Sequence, residues 1–383
     1  MKKHDIIIGI VAIIIGIYLR FFVKNIFYNY DYISYKIVGN IMIHGGNLYK
    51  ETTRYNYSPL WAYILGIFMY ISELLRNINI FRDLICLTLS LADIGLSYII
   101  YIKKNIYYAI FFLLNPISIV ITGGHNQFDN IAILIALISG FIYESSKNPV
   151  HKHRKIISYI MLGISLSIKH IFFIFPVWIF FMEKTLKEKI EGLFIPYIIF
   201  LLSFSQYIFF YHDLKYIKAN VFEYRSFIQN SIYYRLLPHS MIGYIHPFIL
   251  YVFILVVLGL YMKNKYSFFD SLIYYSIAVT LFASGLSIQQ VIIPLPAIFI
   301  MFNTTYLLYL INTTWLIMVS NVELSIKQVI NKTPPFIFNI NTTLYFLLLG
   351  FIFSICNLKI KQIFIDFINR IDEQVKEIFE NSK

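Results

Sequence analysis

Residues 156–182 read IISYIMLGISLSIKHIFFIFPVWIFFM, a long apolar run with Lys169 and His170 at its centre. As a single membrane-crossing helix it would hold a cation at mid-bilayer, costing about 2.5 to 3.5 kcal/mol even on the most lenient insertion scale. Two short helices meeting at Lys169 avoid that cost. The junction then lies near the outer face, and the charged stretch from Glu183 to Glu191 returns to the face where the run began. Irregular backbone at membrane depth is tolerated where it lines a cavity, so the run is expected to be a broken, re-entrant pair.

Apolar runs of similar kind fill the rest of the chain. Of 383 residues 58% are hydrophobic and 14% charged, with a mean hydropathy of +0.68. Soluble domains are typically about 25% charged, so a water-soluble enzyme is excluded. The runs are 5–22, 58–75, 84–102, 106–121, 131–143, 156–182, 193–211, 248–262, 268–283, 291–302, 306–319 and 344–356. They predict an all-α, polytopic membrane helical bundle of about 11 to 13 segments. The first run follows MKKH and lacks a small-residue cleavage site, which reads as an uncleaved span with its N-terminus inside. Residues 1–358 form one transmembrane unit in this reading. Residues 359–383 form an amphipathic helix on the inner surface, with Ile360, Ile363, Phe364, Phe367, Ile368 and Ile371 on one side.

A net charge of +12 would suggest nucleic acid in a soluble protein, but here Lys and Arg sit in short breaks between apolar runs. That is the pattern of cytoplasmic loops facing anionic lipid, so membrane lipid and not nucleic acid is the expected partner. KNPVHKHRK at 147–155 is the strongest inner marker, with Lys103, Lys104, Lys263 and Lys265 in support. If the first run leads outward and Lys103 lies inside, residues 58–75 and 84–102 cannot both cross. The first of these is therefore expected to dip into the membrane without crossing. The two cysteines, Cys86 and Cys356, lie inside apolar runs and offer neither a disulfide nor a metal site.

Polar chemistry gathers in the stretches placed outside. Asp31 follows directly on the first run, held at the membrane surface within NYDYISYK. Asp129 closes GGHNQFDN, where two glycines interrupt a helix and Asp129 with Asn130 can cap the next one. Asp129 thus reads as a cap or as a functional carboxylate. Lys169 with His170 reads as a phosphate contact or as a snorkelling cation. SGLSIQQ at 284–290 sets Gln289 and Gln290 beside an apolar helix, where amides need partners. Arg54, Arg225 and Arg235 and the tyrosines around them, Tyr57 included, read as phosphate and sugar contacts or as interfacial anchors. Asp93 and Asp270 are the carboxylates expected inside spans.

In order and placement these stretches resemble the polyprenyl-phosphate-dependent glycosyltransferases of the GT-C fold, from the first span to about residue 302. DYISYKIVGNIMIHGGNLYKETTRYNYSPLWAYIL (31–65) resembles the first outer loop of GPI mannosyltransferase catalytic subunits and their prokaryotic relatives, with Leu48 in place of the usual Pro. NPISIVITGGHNQFDN (115–130) resembles the "NP, then G-Q-F-D" segment of bacterial mannosyltransferases. SIKHIFFIFP resembles their Lys-to-Pro segment, and SGLSIQQ with VIIPLP resembles "P-G-x-x-x-Q-Y", Gln290 departing from the Tyr.

The resemblance implies transfer of a hexose, mannose first among candidates, from a polyprenyl-phosphate donor to a glycan or lipid acceptor hydroxyl, with inversion. It implies an integral, multi-pass location in a prokaryotic plasma membrane, or in the endoplasmic reticulum of a eukaryote. Asp31 then takes the base role with Asp129 as its competitor, Lys169, Arg225 and Arg235 serve the phosphate, and His125, Gln127 and Gln289 contact sugar or phosphate. No cofactor is implied; a divalent cation held by Asp31 and Asp129 is the alternative. A transporter or lipid flippase is the rival class, predicting ionisable groups within spans and internal repeats; Asp93 and Asp270 are the only carboxylates expected inside spans, and no repeat is visible.

Overall fold

A computed structural model describes residues 3–26, 30–146, 153–212, 214–224, 227–236, 247–320 and 340–356. The proposed amphipathic tail, Arg225, the Arg235 side chain and residues 147–152 of the basic marker lie outside the described residues. The described residues contain helices and no strand. The principal helices are α1 (Lys3–Ile26), α2 (Tyr30–Ile43), α3 (Pro59–Leu74), α4 (Asn79–Lys103), α5 (Ile106–Gly124), α6 (Asp129–Ser145), α7 (His153–Ile168), α8 (Phe175–Met182), α9 (Leu186–Ser203), α10 (Pro247–Met262), α11 (Phe268–Leu281), α12 (Leu295–Ile300), α13 (Thr304–Ser320) and α14 (Ile340–Cys356). Three, α1 from His4 onward, α4 and α5, are long and apolar enough to cross a membrane. The chain is consistent with a membrane protein on that ground.

α1 and α4 run antiparallel. Near one end Lys24 pairs with Asp83, and near the other the Tyr101 hydroxyl reaches Asp5 at 3.5 Å. Between them Arg20, 0% exposed, gives its Nε and Nη2 to Asp93 Oδ2 at 3.0 and 2.8 Å. The guanidinium also bonds Thr122, Ser118 and the carbonyls of Gly16 and Leu113. Asn130 Nδ2 donates to Asp93 Oδ1 at 2.9 Å, so the clasp joins α1, α4, α5 and α6. At Gly123 a Cβ would lie 2.6 Å from the Arg20 carbonyl, which is why a glycine stands where α5 ends in a π turn against α1.

The chain leaves α1 and enters α4 at the same end of the bundle. α2 and α3 lie parallel, Tyr35 against Trp61 and Gly39 against Met69, and the chain between α1 and α4 starts and finishes at that one end. The Ser58 hydroxyl before α3 donates to the Leu166 carbonyl near the end of α7. The polar stretch after the first run, placed outside on sequence grounds, contains a helix of 14 residues.

The break at Lys169 is present. α7 stops at Ile168, a 3-10 turn spans His170–Phe172, and α8 starts with Pro176 in its first turn. Proline suits that position because its missing N–H would be unpaired there anyway. At the end of α8 Glu183 accepts from Lys155 at 2.9 Å and from Tyr159 at 2.7 Å, so the pair returns to the end where α7 began. α11 and α12 repeat the device: a 3-10 turn over Ile288–Ile292, then a short helix with Pro296 in its first turn. Phe299 of α12 packs on Phe111 and Phe302 on Tyr108, near the start of α5. Tyr275 of α11 links the two bent pairs, accepting the Ile174 N–H at 3.1 Å and donating to the Ile171 carbonyl at 3.3 Å.

The two carboxylates expected inside spans differ. Asp93 is buried in the clasp, whereas Asp270 is exposed in the first turn of α11 and accepts from Ser267 at 2.7 Å. Asp270 belongs to a helix start because its side chain answers the free N-terminal donors there.

Candidate active site

The two bent pairs converge on one cavity of about 750 Å3. Asp31, Arg54, Tyr57, Asp129, Lys169, His170, Gln289 and Gln290 all line it, although they come from stretches far apart in sequence. α2 supplies Asp31, Ser34 and Tyr35 from one helical face, since residues three and four apart lie together. The loop before α3 supplies Arg54, Asn56 and Tyr57, the α7–α8 break Lys169 and His170, and the α11–α12 break its polar turn.

Lys169 is buried and its Nζ lies 2.7 Å from Asp129 Oδ2. The ammonium also stands 4.8 Å from the centroids of both Tyr57 and Phe128. This corrects two expectations. Lys169 does not snorkel, and its anionic partner is a residue of the chain, distant in sequence. Asp129 does not cap α6 either: Phe128 is the N-cap and makes no side-chain cap bond, while Asn130 turns to the Leu89 carbonyl and Asp93. A buried carboxylate gains more from an ammonium than from a cap, because both charges would otherwise sit unpaired in a poorly polarisable interior.

Gln127, fully buried, stands between the carboxylates. Its Nε2 donates to Asp31 Oδ2, and its Oε1 lies 3.5 Å from Lys169 Nζ. It supports the lining residues without belonging to them. His125 closes the π turn with its N–H on the Val120 carbonyl and is likewise absent from the lining. Gln290 Oε1 accepts the Ser287 N–H at 2.8 Å in a capping box, so this amide holds its own turn together. Gln289 is the amide of the pair left to face a ligand.

Burial, followed by the charges of Asp31 and Asp129, pushes the Tyr57 hydroxyl well above the usual phenol range. It remains a donor at neutral pH. Four buried polar atoms of the lining residues have no hydrogen-bond partner: the Tyr35 hydroxyl, Asp129 Oδ1, His170 Nδ1 and Arg54 Nε. Each such atom costs about 1 to 3 kcal/mol when left unpaired, so the cavity offers donors and acceptors to whatever polar molecule fills it. Its other wall is apolar, with Phe173, Phe200, Phe222, Phe227 and Phe248. Among the described residues no cluster of three His, Cys, Asp or Glu could hold a metal.

Sequence reasoning did not single out Tyr30, Ser34, Tyr35 or Asn56. The signal available for Ser34 and Tyr35 was their spacing from Asp31, which becomes informative only once residues 30–43 are known to be helical. Comparison of the chain with protein-family models, with curated proteins and with solved structures finds no match in any of the three.

Proposed function

We propose that the protein is a membrane-embedded glycosyltransferase moving a hexose, with mannose as the leading candidate, from a polyprenyl-phosphate carrier to an acceptor hydroxyl on the extracytoplasmic face. The observation that carries this reading is the cavity itself. It joins two carboxylates, two cations, amides and hydroxyls to an apolar wall fit for an isoprenoid chain.

In the proposed reaction Asp31 takes the proton of the acceptor hydroxyl as that oxygen attacks the anomeric carbon. A positioned base of this kind typically contributes a factor of about 100 to 10,000. The bond from the anomeric carbon to the carrier oxygen breaks with inversion, and the polyprenyl phosphate leaves as an anion. Arg54 supplies the positive charge at the cavity that favours that departure, while Lys169 is held by Asp129. Purified protein incubated in detergent with radiolabelled polyprenyl-phosphate mannose and a membrane lipid extract should yield a labelled lipid or glycan. A hexosyl donor series that yields no product would sink the reading.

A transporter or lipid flippase is the second reading, and one observation favours it: two interrupted helices meet at a cavity that holds a buried ion pair. Broken helices around a central site are a recurring transporter device. Translocation of polyprenyl phosphate across reconstituted vesicles, without sugar transfer, would select it.

A further inference from the structure

We propose that the cavity holds two subsites: a deep one that takes an uncharged, polyhydroxylated ring through Tyr35, Asp129 and His170, and a rim site at Arg54 that takes the phosphate attached to that ring. This assignment rests on the glycosyltransferase reading and adds to it where each part of the donor lies and which sugars are refused.

The deep subsite follows from what its atoms lack. Tyr35 is 2% exposed and Asp129 0%, yet the Tyr35 hydroxyl and Asp129 Oδ1 have no partner, and neither has His170 Nδ1. A phenol both gives and accepts, a carboxylate oxygen accepts, and an imidazole nitrogen does either according to its tautomer. Sugar hydroxyls match this mixed set because each can donate to one group while accepting from another.

The same place is poorly suited to phosphate. Lys169 is already neutralised by Asp129 at 2.7 Å, and its surroundings are filled by the rings of Tyr57 and Phe128 and by Gln127 Oε1. A phosphate brought there would meet Asp129 Oδ1 at the same moment as the ammonium, and a second carboxylate, Asp31, lies across Gln127. A sugar carboxylate would meet the same repulsion.

Arg54 differs in its commitments. Its guanidinium lies 3.7 Å from the centre of the Tyr30 ring, its Nη2 reaches the Tyr30 carbonyl only at 3.4 Å, and its Nε is unpartnered. No carboxylate is paired with it among the salt bridges of the described residues. Tyr30 is 66% exposed, which puts this stacked pair at the mouth. A planar guanidinium steadied by an aromatic face can give two parallel bonds to a phosphate, which a lysine cannot.

The test compares detergent-purified wild type, Tyr35→Phe and Arg54→Gln for equilibrium binding of three lipids: bare polyprenyl phosphate, its neutral hexosyl form and its glucuronosyl form. Tyr35→Phe should weaken the hexosyl lipid about fivefold and leave bare polyprenyl phosphate unchanged, as loss of one hydroxyl contact predicts. Arg54→Gln should weaken the bare and the hexosyl lipid alike, by about tenfold. Wild type should bind the hexosyl lipid at least about tenfold more tightly than the glucuronosyl lipid. Tyr35→Phe preserves shape, Arg54→Gln keeps a polar side chain at the rim, and unchanged melting temperatures confirm that the variants are folded. Equal weakening of bare and hexosyl lipids by Tyr35→Phe, or an Arg54→Gln variant with unchanged affinity for bare polyprenyl phosphate, overturns the two-subsite assignment alone. Failure of wild type to bind any of the three lipids overturns the donor reading itself, and this assignment with it.

Discussion

Lys169 and Asp129 meet at 2.7 Å with side-chain exposures of 8% and 0%, so each is the other's main source of charge compensation. Removing one member strands the other in a poorly solvating place, at a cost of about 3 to 5 kcal/mol. Lys169→Met and Asp129→Leu should each lower the thermal unfolding temperature in detergent markedly, while the two combined should recover most of the loss. Additive losses in the double variant would show that the two side chains act independently.

Asp31 is only partly buried and receives a bond from Gln127. Asp31→Asn keeps an acceptor oxygen for that bond but cannot take a proton at working pH. Transfer should fall by a factor of about 100 to 10,000, with donor affinity and melting temperature nearly unchanged. Full turnover by this variant would move the base role to Asp129.

The adjacent amides of the α11–α12 break have different tasks, since Gln290 holds the capping box and Gln289 does not. Gln290→Leu should reduce stability by about 1 kcal/mol, the usual worth of a cap. Gln289→Leu should leave unfolding unchanged and weaken donor binding. A reversed pattern in melting curves would refute the division of labour.

Gly123 has no space for a side chain, with the Arg20 carbonyl 2.6 Å from where its Cβ would be. Gly123→Ala must push α1 away from the π turn and disturb the Arg20–Asp93 clasp, so a loss of about 1 to 3 kcal/mol is expected. An alanine variant as heat-stable as wild type would contradict the packing described.

Tyr224 is 55% exposed beside the cavity, and Lys104 is exposed at the opposite end of α4. With Cys356 replaced by serine, a cysteine at 224 should react with an impermeant thiol reagent added outside intact cells, and one at 104 should not. Labelling of 104 alone would invert the proposed orientation.

The broken pair at Lys169 was legible in the sequence because a cation amid apolar residues has few low-energy positions. Its partner was not, since Asp129 lies in another segment and a carboxylate after two glycines looks like a helix cap. Arg20 was equally hidden: at the end of an apolar run an arginine resembles an interfacial anchor, and only the packing of α5 against α1 encloses it. Residues 30–43 read as loop because their tyrosines and polar groups lack an obvious stripe. One face of the helix serves two tasks along its length, with Asp31, Ser34 and Tyr35 lining the cavity near its start and Gly39 and Met42 packed on α3 further on.

One hydroxyl, that of Tyr275, is shared by both peptide groups that define the α7–α8 apex, and it comes from a helix of the other bent pair. The cavity floor is thereby a single plate, unable to part along its seam without giving up two buried bonds at once.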